Sequence, residues 1–240
     1  MRKKLGLYLN RQNFFPTFLG FFFNPFWIAR RGLASAMKDF SAELHGKLLD
    51  VGCGSKPYES LFNVSSYIGL DIENEGTIKR GVADYFYDGG QFPFGHSEFD
   101  SVLCNQVLEH VFNPDDFIGE INRVLKPAGK LLLTVPFVWD EHEQPYDYAR
   151  YSSFGLRSLL EKNGFIVLDH RKLGTDMSTL FQLTNAYLYK VTLTWPKLLR
   201  NLNTMTTMAF ISMAGVLCAK LFPENSDLFL DHIILVQKQQ

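Results

Sequence analysis

Two groups of residues in this 240-residue chain have the types and the spacing for chemistry. The first is Asp50-Val51-Gly52-Cys53-Gly54, with Asp71 following. Glycines at the end of an apolar run let the backbone approach a ligand closely, and an acid about 20 residues further on stands where a carboxylate takes the hydroxyls of a ribose. A full dinucleotide fingerprint would need a third glycine where this chain has Pro57, which disfavours NAD or FAD and hence a dehydrogenase. The second group is Asp140-Glu141-His142-Glu143, with Tyr146, Asp147, Arg150 and Tyr151 close behind. Imidazole is the side chain best matched to proton removal near neutrality, so His142 is the candidate base. Tyr146 and Asp147 would orient an acceptor, and Glu141 or Glu143 would fix the tautomer of His142. Neighbouring residues such as these rarely converge on one ion, so no metal is expected.

The elements that must position these groups follow from pattern and punctuation. Lys47–Val51 reads as a buried strand, and Ser55 with Pro57 suits the first turn of a helix behind it. Residues 66–71 and 81–84 read as the second and third strands, each ending in an acid. Residues 98–104 form the fourth and deliver Asn105 and Gln106 to the same edge. Asn113 opens an amphipathic helix, stopped by Pro127–Gly129, before a fifth strand over 130–136. A helix capped by Ser152, a sixth strand over 165–169 and a seventh over 232–237 complete an α/β pattern.

The ordered segments LLDVGCGSKPY, YIGLD and VADYFYDGGQFPFGHSEFDSVLCNQVLEHVFNPDDFIGEINRVLKPAGKLLLTVPF resemble the class I S-adenosylmethionine-dependent methyltransferases, specifically the group with an LEH motif after the fourth strand. The resemblance covers about 47–171 and returns at 231–237. It implies a Rossmann-like three-layer sandwich with a seven-stranded, mostly parallel sheet whose last strand is antiparallel, and S-adenosyl-L-methionine as cofactor. It further implies cofactor contacts from Asp50, Gly52, Cys53, Gly54, Asp71, Ile72, Asp84, Tyr85, Asn105 and Gln106, with Asp84 at the adenine amino group and Tyr85 beside it. His110 of the LEH motif would pack behind the cofactor loop. Metal-dependent members usually place an acid just after the fourth strand, where this chain has Asn105. The GCGSKPY subgroup, with HExPYD after the fifth strand, is associated with cell-surface glycan and lipid-linked biosynthesis. The expected reaction is O-methylation of a small or lipid-linked acceptor. Methylation of a quinone-like metabolite is the alternative, and a cofactor-binding protein without catalysis is the rival from another class.

The expected organisation is an arm and helix over 1–45, a methyltransferase domain over 46–171 and 229–240, and a hydrophobic helical insertion over 172–228. Residues 1–38 carry seven basic residues and no acid, and 177–223 carry four and no acid, which leaves the remainder strongly acidic within a net charge of −1. The run from Phe14 to Ala29 is uncharged but broken by Pro16, Gly20 and Pro25, too short for a comfortable span of about 20 residues. Either this arm packs over the active site or it touches an anionic membrane surface. The insertion reads as two helices, 180–202 and 204–219, forming a cap that meets substrate, lipid or a dimer partner. No nucleic-acid partner is expected. Three scattered cysteines, Cys53, Cys104 and Cys218, suit a reducing compartment, so the expected location is cytoplasmic with peripheral membrane association.

Overall fold

The computed structural model describes residues 11–240; Arg2, Lys3 and Lys4, three of the basic residues of the N-terminal arm, lie outside the described residues. Seven strands form one mixed sheet: β1 Lys47–Val51, β2 Ser66–Ile72, β3 Tyr85–Tyr87, β4 Phe99–Asn105, β5 Leu125–Pro136, β6 Phe165–Leu173 and β7 Asp231–Lys238. Their order is β3-β2-β1-β4-β5-β7-β6. β1 lies parallel to β2 on one side and to β4 on the other, with β3 parallel to β2 and β5 parallel to β4. The α/β class and the Rossmann-like, seven-stranded sheet therefore hold. Strands covered on both faces must be apolar throughout, and Leu48, Leu49 and Val51 of β1, Val102 to Cys104 of β4 and Leu131 to Leu133 of β5 are all buried. The strand order reverses between β1 and β4, and in such sheets the ligand crevice opens outside the carboxyl ends of those two strands.

Helices among the described residues include α1 Trp27–Phe40, α2 Glu75–Arg80, α3 Pro114–Val124, α4 Ser153–Lys162, α5 Ser178–Val191, α6 Lys197–Asn203 and α7 Ala209–Leu221. Three expectations need correction. Behind β1 there is only a single 3-10 turn, Glu59–Leu61, because Gly54 and Lys56 take positive φ of 54° and 50° and a right-handed helix cannot pass through them. The third strand is not 81–84: Asn74 and Thr77 exchange a reciprocal cap that starts α2, left-handed Gly81 closes it, and the strand begins only at Tyr85. In the insertion the break falls at Thr192–Pro196 rather than at 203. Pro196 cannot sit inside a helix, and α6 runs through a π-helical turn, Thr204–Met208, straight into α7.

By contacts the chain forms two compact units. One comprises Met37–Phe137, Glu141–Arg171 and His232–Gln240, and holds the buried core around Leu49, Val102, Ile121, Leu133 and Ile234. The other comprises, among the described residues, 11–36, Val138–Asp140 and Lys172–Asp231. In that second unit Phe21 stacks on Trp27 at 3.8 Å, Trp27 Nε1 donates to Thr17 O, and Gly215 of α7 packs where a Cβ would lie 2.8 Å from Phe181. Among the described residues, one helical stretch, Lys197–Leu221, is long and apolar enough to cross a membrane by length and composition.

Candidate active site

The first unit brings the carboxyl ends of β1, β2, β3 and β4 to one edge. At Gly52 the backbone has φ +70°, and its N–H and that of Cys53 donate to Leu70 O at 2.8 and 3.1 Å, which ties the turn to the end of β2. A Cβ here would lie 2.3 Å from Val107 Cγ2, so the loop after β4 already occupies the space a side chain would need. Gly54 differs: its φ is +54°, but the nearest atom to a Cβ would be 3.9 Å away. That open face, with Asp71 beside it, fits the close approach of a cofactor's backbone-binding portion. Replacing Gly52 by Ala is expected to cost about 1–3 kcal/mol of stability, from the strained φ and the contact with Val107, while Gly54→Ala costs about 1 kcal/mol. Urea unfolding of the two variants checks this order.

Asp71, near the end of β2, accepts from Ile72 N at 2.9 Å and pairs with Arg80 at 3.2 Å. Burial raises its pKa, opposed by backbone N–H groups of Ile72 and Gly54 and by Arg80. Ile72 stands partly exposed at the rim. Asp50 is buried in β1 under a 2.7 Å hydrogen bond from Tyr67 Oη, and burial pushes its pKa up to about 7. A folded-state pKa above the unfolded value means this group contributes stability that is fully present below about pH 4 and lost as pH rises through about 7. The loss is on the order of 4 kcal/mol for about three pKa units. Asp50→Asn is expected to remove that part of the pH dependence, seen as a shrinking gap between denaturation curves at pH 5 and pH 8. The Cys53 thiol is pushed up to about 12 by burial and nearby acids, so it lines the turn as a neutral group.

Asp84 and Tyr85 do not reach this edge. Asp84 precedes β3 and its carboxylate accepts from Gly69 N at 2.7 Å and pairs with Lys56, while Tyr85 packs edge-on against Phe94 at 4.9 Å. β3 meets β2 with Asp71 opposite Phe86 and Ile72 opposite Tyr87, so the acid that follows its carboxyl end is Asp88. Asp88 is exposed and accepts from Gly90 N at 3.0 Å. The signal for it was in the sequence: the aromatic run Tyr85–Tyr87 stops at Asp88-Gly89-Gly90.

After β4, Asn105 Oδ1 accepts from Thr134 Oγ1 at 2.9 Å, and Gln106, at φ +56°, donates its N–H to Thr134 O at 3.0 Å. The LEH residues Leu108–His110 form a 3-10 turn that holds the loop following β5. Glu109 O accepts from Tyr148 N and Ala149 N at 2.8 and 3.3 Å, and His110 Nδ1 meets Tyr146 O at 2.8 Å. His110 is thus hydrogen-bonded to the loop that follows β5.

Within the loop, Asp147 accepts from His142 N at 2.9 Å and from both terminal nitrogens of Arg150. Arg150 above all holds its pKa down to about 2. The side chain of Asp147 is 4% exposed, so it reaches an acceptor only through His142. His142 Nδ1 lies 3.3 Å from Asp147 Oδ2 and its Nε2 lies 4.0 Å from Glu109 Oε1. The carboxylate that fixes the imidazole is therefore Asp147, and Glu141 is turned to Gln144. Tyr146 is 61% exposed and Tyr148, in the same loop, 45%. Glu143 lies close enough to Asp71 to raise its pKa, which puts this loop in electrostatic reach of the cofactor edge. Glu109, His110 and His142, with ligand atoms within 4.8 Å of one another, are the described residues that could hold a cation; they are not the adjacent run 140–143.

The profile of a methyltransferase-domain family matches residues 27–173. The ubiquinone biosynthesis O-methyltransferase of Schizosaccharomyces pombe is 30% identical over 104 residues, 37% of this chain and 37% of that protein. The fatty-acid O-methyltransferase of Mycolicibacterium smegmatis is 33% identical over 106 residues, 39% of this chain and 38% of that protein. The match thus spans less than half the length of these curated relatives. Phosphoethanolamine N-methyltransferase 2 of Haemonchus contortus, solved with S-adenosyl-L-methionine, shares the fold at a TM-score of 0.55 and 18% identity, covering 95% of this chain and 59% of that one. With a family profile spanning more than half its length laid over the sheet edge that carries Gly52, Gly54 and Asp71, the chain belongs to the class I S-adenosylmethionine-dependent methyltransferase domains.

Proposed function

We propose that this protein moves a methyl group from S-adenosylmethionine to a hydroxyl of a small hydrophobic or lipid-linked acceptor in cell-surface glycan or lipid biosynthesis, on the cytoplasmic side of a membrane. The observation that carries the reading is His142: an imidazole on the loop after β5, backed by Asp147 at 3.3 Å, beside the cofactor edge. The bound cofactor supplies an electrophilic methyl on an already activated sulfonium, so the protein's work is alignment, exclusion of water and removal of the acceptor's proton. Asp71 takes the ribose hydroxyls, Asp88 meets the adenine amino group, and the Gly52–Gly54 turn with Asn105 and Gln106 walls the methionine portion. Asp147 holds the Nδ1 proton of His142 so that Nε2 accepts the hydroxyl proton, and the buried carboxylate of Glu109, 4.0 Å away, stabilises the imidazolium that results. Tyr146 orients the acceptor.

Relatives named as a ubiquinone biosynthesis O-methyltransferase and a fatty-acid O-methyltransferase support oxygen as the target and an apolar acceptor. The two sources of oxygen differ chemically: a hydroxyl gives an ether, which survives mild alkali, and a carboxyl gives an ester, which does not. After incubation with methyl-labelled cofactor and a lipid extract, the label is expected in an organic-soluble product that mild alkali leaves intact. Label released by alkali points to a carboxyl acceptor and removes the need for a base at His142.

A further inference from the structure

The helices of the second unit are packed with their polarity inverted. In a water-soluble helix the apolar stripe faces inward and the polar face meets solvent. Here the buried positions of α5 and of the stretch Lys197–Leu221 include Ser178, Thr179, Gln182, Asn185, Thr204 and Ser212. Asn185 Nδ2 donates to Ser212 Oγ at 2.8 Å and to Met208 O at 3.1 Å, and Gln182 donates to Pro25 O and accepts from Ala29 N. Gly215 lets α7 close on Phe181. The outward positions are Leu198, Leu202, Phe210, Met213, Leu217 and Leu221, each more than half exposed. Only 28% of the most apolar window of the stretch is buried, so it is not the core helix of a globular protein. Small and polar residues between helices, with leucine and phenylalanine outside, is the packing found where the surroundings are as apolar as the side chains themselves.

We infer that this face enters an anionic lipid bilayer. Three further observations fix lipid as the occupant rather than a second copy of the chain. Phe18, Leu19, Phe22 and Phe23 add exposed rings and an isobutyl group to the same unit, and Phe18 and Phe22 line, with Met205, Phe210 and Met213, an apolar cavity of about 220 Å³ suited to the end of an acyl chain. Lys197 and Arg200 mark one end of the long stretch and Lys220 the other, and no acid occurs from 177 to 223. A self-associating face would gather those like charges on both partners, whereas anionic headgroups neutralise them. The stretch measures about 37 Å at 1.5 Å per residue, but its packing partner α5, with 14 residues, reaches only about 21 Å against a hydrocarbon core of about 30 Å. The face the two helices share is therefore shorter than the hydrocarbon core, as for helices that lie along the bilayer surface. Such docking brings the protein to acceptors carried on lipid; the inference deepens the proposed acceptor class, but it stands on the second unit alone.

The test uses the full chain with vesicles of phosphatidylcholine, with and without phosphatidylglycerol, by co-sedimentation. Binding is expected with phosphatidylglycerol and is expected to weaken as salt rises. The pair Phe210→Asn with Leu217→Asn, on exposed positions, is expected to raise the lipid concentration for half-binding about tenfold or more, and Lys197→Glu with Arg200→Glu to do so at low salt only. Affinity for S-adenosylhomocysteine, measured on the same variants, is expected to stay unchanged and reports that they are folded. Wild-type protein that stays in the supernatant, variants that bind undiminished, or a concentration-dependent dimer that ignores lipid would each overturn the inference. None of these would touch methyl transfer, which fails separately if no label leaves the cofactor.

Discussion

His142→Ala is expected to lower methyl transfer by about 10²–10⁴-fold with cofactor affinity nearly unchanged, the usual size of a general-base contribution. The proposed basis is the order Asp147–His142–Glu109, in which one carboxylate would fix the Nδ1 proton and the second lies on the Nε2 side, where the acceptor's proton would arrive. Asp147→Asn should lose part of the same effect without direct contact with substrate, because an amide can present its N–H to Nδ1 and stabilise the wrong tautomer. Single-turnover rates against pH separate this from a structural role. With a base, the wild-type rate rises as pH rises and the His142→Ala rate loses that limb. Equal turnover per folded molecule in the variant would remove His142 from the chemistry and leave Tyr146 as the residue to examine.

Asp71→Ala is expected to weaken binding of S-adenosylhomocysteine by about 1.5–3 kcal/mol, or roughly 10- to 150-fold, the loss of charge-assisted hydrogen bonds to two ribose hydroxyls. The fold should survive, since Asp71 is paired with Arg80 at the rim and the core lies beneath it. Calorimetry reads the change directly. Asp84→Ala serves as the contrast: its carboxylate anchors Lys56 and Gly69 N, so stability should fall while affinity in the folded fraction stays close to wild type. Asp88→Ala, by comparison, should cost affinity and little stability.

What could be read in the sequence was what local rules decide. The glycine turn, Asp71 and the strand end at Val51 depend on φ and on runs of apolar residues and stand where they are expected, and the fourth strand ends one residue later, at Asn105. The sequence pattern makes Asp84 a strand-end acid because Asn74 lacks, three residues on, the Glu or Gln that marks a capped helix start. Thr77 completes a cap there in place of the usual Glu or Gln, a helix forms, and the strand moves three residues on. The salt bridge of Asp147 with Arg150 and the approach of Glu109 to His142, 33 positions apart, depend on the path of an irregular loop, which carries no period to read. The run from Thr204 to Ala219 is apolar almost all round, so its pattern does not say which side is buried. Only the packed helices reveal that Ser212 and Gly215 face inward and Phe210 and Leu217 outward.

The central claim, that this chain spends S-adenosylmethionine on an acceptor, is tested most directly by mixing the full-length protein with methyl-labelled cofactor and a lipid-extractable cell fraction, then following cofactor and product by mass spectrometry. S-adenosylhomocysteine and one labelled product are expected to appear in equal amounts, with neither formed when the lipid fraction is withheld. Cofactor that is bound yet recovered intact with every fraction would contradict the account and mark the protein as a binder without turnover.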